Sequence, residues 1–227
     1  NVEPRLGLGW DIAGDGRTVA RAAYAWAADE PGTTAVRDTA ANPPNATPLT
    51  ASGSIPIRSA IDGTRAAGLS PATIDPEFRN ASLQSWNVNI QRQLSPGVAA
   101  LVGYFGSAGR NLRISRNINQ PIDGVRPFSS LSLASPILPG TALGTITEVT
   151  SAGFSSYHAL MLSATKRLSR GLQFAASYTW SKSLDTNSLN SSGFAVQNSY
   201  DIRNQYGLSD FDARHRVVLS GTYELPF

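Results

Sequence analysis

The stretch that decides the fold is Tyr157-His158-Ala159-Leu160-Met161-Leu162-Ser163-Ala164-Thr165-Lys166-Arg167-Leu168, then Ser169-Arg170-Gly171, then Leu172-Gln173-Phe174-Ala175-Ala176-Ser177-Tyr178-Thr179-Trp180. After Gly171, Leu172, Phe174, Ala176, Tyr178 and Trp180 share one parity, and Gln173, Ala175, Ser177 and Thr179 take the other. Before it, Leu160, Leu162, Ala164 and Leu168 share a parity against Met161, Ser163, Thr165 and Arg167. A period of two is the signature of a strand with two unlike faces. A short link containing glycine between two such runs predicts a hairpin. Each arm is about ten residues long, whereas soluble strands usually have ~5–6. A strand that crosses a membrane needs ~9–11.

Other stretches repeat the plan. Arg5 to Ile12 alternates, Gly14-Asp15-Gly16 turns, and Thr18 to Trp26 returns. Ser85 to Leu94 places Trp86, Val88, Ile90 and Leu94 against Ser85, Asn87, Asn89, Gln91 and Gln93. Ser95-Pro96-Gly97 turns it, and Val98 to Phe105 returns. Ala213 to Leu225 is a last strand, with Val217, Leu219, Gly221, Tyr223 and Leu225 on one face. Between the hairpins lie long segments, about 29–83, 108–156 and 184–212. The first is rich in Pro, Thr, Ala and Asn, and connections of such length are functional or mobile. Within the second, Leu112–Ser115 and Thr145–Thr150 have the character of strand extensions.

The rhythm of short turn and long loop predicts an all-β fold. It is an antiparallel, up-and-down segment of a transmembrane β-barrel, an open curved meander of about seven strands. Closure requires further strands. The three short turns are expected at one end. The polar parity, rich in Asn, Gln, Ser and Thr, suits a wet lumen. The apolar parity carries aromatics at two levels. Trp10, Phe174 and Tyr223 lie toward the turns, and Trp26, Trp86, Tyr104, Tyr178 and Trp180 lie a strand's length away. Two belts around an apolar band predict anchoring at both membrane interfaces. Arg92 and Lys166 share the apolar parity close to a turn, where they can snorkel to headgroups.

Composition agrees. Of 227 residues, 41% are apolar and 15% charged, against a usual ~25% charged. Without cysteine there is neither a disulfide framework nor a thiolate metal site. A net charge of +3 without any Lys/Arg block argues against a nucleic-acid partner. No apolar run approaches the length of a membrane helix, and no secretory leader pattern opens the sequence. The abrupt ends at Asn1 and Phe227 lead us to expect a fragment, one partial barrel domain over 1–227 with no plug.

The wording of the chain resembles the barrel of Oar-like TonB-dependent receptors. The resemblance rests on Pro4-Arg5-Leu6-Gly7, Asp15-Gly16-Arg17-Thr18-Val19, Ser85 to Leu94, Val102-Gly103-Tyr104, Gly106-Ser107 and Tyr157-His158-Ala159-Leu160. It continues through Ala176 to Ser183, Gly207 to Asp212, Arg214-His215-Arg216 and Tyr223 to Phe227. It implies a barrel of 22 strands in the outer membrane, an internal plug, and uptake driven by the TonB complex. This chain would supply about a third of the barrel. The expected partners are outer-membrane lipids, an unknown solute, and the TonB complex through parts of the protein outside this chain.

Other chemistry is weakly supported. His158 and His215 have no Gly-x-Ser-x-Gly elbow to serve, and their place near loop ends predicts interfacial packing. Gly7 and Gly9 read as thin strand positions, not a dinucleotide loop. Asp210 and Asp212 suit a cap or a salt bridge to Arg214 or Arg216 better than calcium. Asn45-Ala46-Thr47, Asn80-Ala81-Ser82 and Asn190-Ser191-Ser192 match the glycosylation sequon, which carries little meaning in a bacterial outer-membrane protein. No enzyme, cofactor or metal is therefore expected. Alternatives to a transporter are a passive porin, a surface adhesin, and a soluble carbohydrate-binding sandwich, whose strands also alternate.

Overall fold

The computed structural model describes residues 2–30, 33–40, 42, 70–129, 132–133, 141–188 and 196–226. The sequons at 45–47 and 190–192 lie outside them, as does most of the first long segment. In chain order the strands are β1 (Arg5–Asp11), β2 (Thr18–Ala28), β3 (Ala72–Ile74), β4 (Ser82–Ser95), β5 (Val98–Asn117) and β6 (Ser132–Leu133). They continue as β7 (Thr141–Ala142), β8 (Thr147–Ser169), β9 (Leu172–Asp185), β10 (Gly207–Leu208) and β11 (His215–Tyr223). Among the described residues a short helix, α1 (Thr34–Ala40), precedes β3, and a 3-10 turn spans Ile202–Gln205. Among the described residues, no helix is long and apolar enough to cross a membrane.

The seven long strands follow one another in the sheet as β1-β2-β4-β5-β8-β9-β11, each antiparallel to the next. This is the expected meander. Its three tight turns fall at one edge, where backbone bonds tie one hairpin to the next. Gln93 N donates to Arg17 O at 2.8 Å, Arg167 N to Gly97 O at 2.8 Å, and Glu224 N to Gly171 O at 2.7 Å. The turn of the central hairpin holds Arg170 at φ 53° and Gly171 at φ 73°. Two consecutive positive φ values define the turn whose twist matches paired strands. In the first turn, the Asp11 carboxylate accepts the N–H groups of Gly14 at 3.1 Å and Gly16 at 2.7 Å.

The strands run further than alternation alone indicates. β8 has 23 residues and β5 has 20. At ~3.3 Å per residue, β8 reaches about 75 Å, so roughly half of it stands beyond a membrane's apolar band. The second long segment is correspondingly shorter than expected. Its flanks, including Leu112–Ser115 and Thr147–Thr150, belong to β5 and β8. The register slips between Gly109 and Leu112 and again between Leu112 and Ile114. Asn111 sits there at φ 54°. A bulge adds a residue and reverses parity, which hides the extension from a period-two reading.

Two short strands complete the far end. β10 pairs with the tip of β9, and β3 runs parallel to Thr147–Val149 of β8. β3 is held by Asp75, whose Oδ1 accepts Glu77 N–H and whose Oδ2 accepts the Thr150 hydroxyl, both at 2.9 Å. The Glu77 amide, then the Thr150 hydroxyl and the Arg116 charge, hold the Asp75 carboxyl below its ordinary pKa against a small opposing effect of burial. A depressed pKa makes the ionised form the one that stabilises the fold. The contribution is therefore complete above the unfolded value of ~3.9 and is lost as pH falls through the lower folded value. We expect the amides of 72–75, corrected for intrinsic rate, to lose hydrogen-exchange protection on acidification through that window. Asp75→Asn should remove the pH dependence.

Candidate functional site: two faces and a vestibule

The register assembles the apolar parity into one continuous face. Trp10, Ala20, Ile90, Val102, Leu162, Tyr178 and Val217 form one row across all seven strands. Leu8, Ala22, Val88, Tyr104, Leu160, Trp180 and His215 form the next. Most valines, leucines and tryptophans on this face are exposed, with Val88 at 55%, Trp180 at 53% and Leu219 at 74%. An apolar surface this large marks a contact with lipid or protein.

All eight belt aromatics lie in the long strands of this sheet. Trp10, Trp26, Tyr104, Trp180 and Tyr223 are exposed, and Trp86, Phe174 and Tyr178 are half-buried. Trp10 and Tyr178 share a row, yet Trp10 stands four residues before Gly14 and Tyr178 seven after Gly171. The turn edge is thus staggered against the rows, as tilted strands require. With strands ~4.8 Å apart and tilted by ~40°, a row climbs about 15 Å between β1 and β9. One row can therefore carry aromatics to two depths.

Both histidines pack at the loop end of this face. Tyr104 Oη and His158 Nδ1 share a hydrogen bond of 2.6 Å, and Tyr178 Oη and His215 Nδ1 one of 2.8 Å. The rings of each pair stack with centroids 6.1 Å apart. Trp86 lies flat over Gly106, where a Cβ would meet its indole at 2.4 Å. At the turn end, Lys166 bends back onto its own turn, donating to Ser169 O, Ser169 Oγ and Leu172 O at 2.8, 3.0 and 2.6 Å. Asp212 caps backbone, its Oδ1 accepting Ser183 N–H at 2.7 Å.

The opposite face carries the polar parity. Arg21 Nη1 donates to Gln91 at 3.0 Å, and Asn89 Nδ2 to Asn87 at 3.1 Å. Near the turns a polar hollow of about 300 Å³ is lined by Arg17, Arg21, Gln91, Gln93 and Arg167. This face is not uniformly polar. Phe105 lies over Gly103, where an added Cβ would meet its ring at 2.8 Å.

Beyond the membrane-length part of the sheet, the extended β5–β8 ribbon carries a built structure. Ile114, fully buried, packs with Val196 and Ile202. Asn119, also fully buried, donates to Leu143 O and Gly144 O and accepts Phe128 N–H. Ser199 Oγ accepts Asn117 N–H at 2.9 Å, and the partly exposed Arg116 donates through Nε to the buried Glu148. Against this support opens a hollow of about 870 Å³, lined by Arg110, Phe154, Tyr200, Arg203 and Tyr206 among others. Phe154 and Tyr206 rings stand 4.8 Å apart, and Tyr206 Oη is 2.6 Å from Ser156 Oγ. Three arginines (Arg110, Arg116 and Arg203) against one carboxylate (Asp201), with three aromatic rings, suit an anionic or ring-bearing solute. None of these residues stands out in the sequence, since they come from segments some ninety residues apart. Among the described residues, no group of three or more His, Cys, Asp or Glu is arranged to hold a metal.

A family model described as "Outer membrane beta barrel domain" matches residues 1–227. Comparison with curated sequences gives no match. Among solved structures, the outer membrane transporter YddB from Escherichia coli is similar over 97% of this chain and 26% of its own, with TM-score 0.60 and 16% identity. The alcaligin outer membrane receptor FauA from Bordetella pertussis aligns over 99% of this chain and 26% of its own, with TM-score 0.44 and 17% identity. The siderophore receptor PirA from Pseudomonas aeruginosa aligns over 81% and 28%, with TM-score 0.46 and 14% identity. The chain thus spans about a quarter of each of these proteins.

Proposed function

The chain belongs to the outer-membrane β-barrel domain family and resides in the outer membrane, and from that premise we propose that it is part of a TonB-dependent transporter that takes up a bulky solute. The observation that carries this reading is the seven-strand antiparallel meander with one apolar and one polar face, its turns at one end and β5 and β8 extended beyond membrane length at the other. Barrels of this class put short turns on the periplasmic side and long loops outside. That orientation puts the extended ribbon and its hollow of about 870 Å³, the vestibule, outside the cell, on the side of the sheet where Arg110 and Ser156 continue the apolar parity. The likeness to YddB supports the fold, and the energised mechanism follows from the sequence resemblance, because fold alone does not fix chemistry. The open edges at β1 and β11 support further strands, since unpaired backbone cannot face lipid.

In this reading Trp10, Phe174 and Tyr223 mark the periplasmic interface, and Trp26, Trp86, Tyr104, Tyr178 and Trp180 the outer one. A wide barrel left open would leak, so a plug fills it, and opening it needs work from outside the barrel. The deciding measurement is uptake of a candidate solute by cells carrying the full-length gene, with and without TonB. Uptake should fall to the level of the gene deletion when TonB is absent. Undiminished uptake would overturn the active mechanism and leave a porin. Binding of solute or cells without any uptake would leave an adhesin.

A further inference from the structure

Arg203 and Tyr206 reach the hollow on the β5–β8 ribbon from one short turn. The 3-10 turn Ile202–Gln205 is followed by Tyr206 N donating to Arg203 O at 3.0 Å. In such a turn, residues three apart stand one above the other. The guanidinium and the phenol ring therefore share a side. The turn is fixed at three points. Ile202 is buried with Ile114, and Tyr200 Oη donates to Gln120 O at 2.8 Å. Tyr206 is held by its bond to Ser156 and by the Phe154 ring. Phe154 is held in turn, its N–H donating to Thr186 Oγ1 at 3.1 Å. A firm platform of two rings thus stands beside an arginine.

The charges of the lining select among anions. Arg116 is paired with Glu148. Arg110 rests Nη1 on the carbonyls of Gly109 and Ser155, at 3.1 and 3.5 Å, and keeps its other N–H groups. The Arg203 side chain has no partner among the described residues. Arg110 and Arg203 stand against Asp201, which leaves a single positive charge for a ligand to meet. That suits one carboxylate and not a polyphosphate. The remaining lining selects the body of the ligand. Ser151 and Ser199 accept N–H groups from Arg79 at 3.1 Å and Asn117 at 2.9 Å, so their own O–H groups are left to donate. An aromatic acid would cover these hydroxyls and Asp201 without pairing them, at a cost. The hydroxyls of a sugar pair with them, while its C–H face lies on Phe154 and Tyr206. The volume of about 870 Å³ falls in the range of small-molecule sites and exceeds what one sugar ring fills.

We propose that this hollow binds a soluble acidic oligosaccharide, a short uronate chain. One carboxylate sits on Arg203 and Arg110, one ring lies against Phe154 and Tyr206, and Asp201 accepts ring hydroxyls. Arg110 and Ser156 continue the apolar parity, so the site stands on the outer flank of the sheet, beside the lumen and not in it. A saccharide held there is concentrated at the mouth without blocking the passage. That the hollow meets its ligand outside the cell rests on the orientation proposed above. The binding itself does not.

The test is calorimetric titration of the full-length protein in phosphatidylcholine nanodiscs, which expose both of its ends, with trigalacturonate and with its neutral methyl ester. The acid should bind about tenfold tighter than the ester, the worth of one charge-assisted hydrogen bond. Arg203→Ala should abolish that preference, and Arg203→Lys should keep part of it. Tyr206→Leu should weaken acid and ester alike, because the ring is shared by both. Arg17→Ala, at the turn end of the lumen face, should change neither. Hydrogen exchange over 196–206 checks that each variant keeps its turn. No binding, equal binding of acid and ester, a preference that survives Arg203→Ala, or one lost in Arg17→Ala would each overturn the proposal. Displacement of the trimer by rough lipopolysaccharide would also overturn it, by making the hollow a lipid site. Titration involves neither TonB nor uptake, so uptake undiminished without TonB defeats the transport reading and leaves this site standing. Equal binding of acid and ester does the reverse.

Discussion

Arginine in place of Leu162 is expected to cost the membrane-inserted protein about 2–4 kcal/mol. Leu162 is 44% exposed on the apolar face, in the row with Val102 and Tyr178. A guanidinium there has no local acceptor. Lys166, on the same strand and face, is tolerated because the turn carbonyls of Ser169 and Leu172 lie within its reach. From Leu162 the turn is some 13 Å further than from Lys166, beyond the span of a side chain. Val88→Arg should behave alike. Asn89→Arg, on the wet face beside Gln91 and Arg21, should be far milder. Denaturant titration of the full-length protein in vesicles measures all three. Equal costs at positions 88 and 89 would remove the distinction between the faces.

Ile114→Ala should be costly in a different place. Ile114 is fully buried against Val196 and Ile202, and removing three carbons from such a site costs about 2–5 kcal/mol. The cost should fall on the vestibule, because this cluster lies on the β5 extension and not in the membrane-length hairpins. Hydrogen exchange should show 196–206 losing protection while 160–166 and 174–180 keep theirs. Ile114→Val, which leaves a smaller cavity, should cost about 0.5–1.5 kcal/mol. Loss of protection across all strands at once would mean that vestibule and barrel unfold as one unit.

The transmembrane part was legible because a bilayer imposes a period of two on every strand. Trp86, Val88 and Ile90 against Asn87, Asn89 and Gln91 say this without help. The structure shows these faces as rows, and the rows explain how Trp10 and Tyr178 can share a register. What lay outside the pattern lies beyond the bilayer, where that constraint lapses. Past Ala108 the bulges around Asn111 reverse parity, so the strand continues while its alternation does not. β3 is three residues long and pairs with a strand more than seventy residues away, which no local pattern encodes. The vestibule's Arg110, Arg203 and Tyr206 look like ordinary surface residues until β5 and the segment after β9 bring them together.

β3 also bears on the order in which the protein is made. It lies between β2 and β4 in the chain but pairs with β8, on the side where β9 joins that strand lower down. Every other pairing among the long strands closes between neighbours in the meander and can form as each strand is added. β3 has to wait until β4, β5 and β8 are in place, and closing so long a loop is slow relative to zipping a hairpin. An assembly intermediate should therefore exist with its transmembrane strands complete and its 72–74 segment undocked. In it the newly inserted sheet is mature in the bilayer while its outer surface remains unfinished, open to proteases and to chaperones that the completed protein no longer admits.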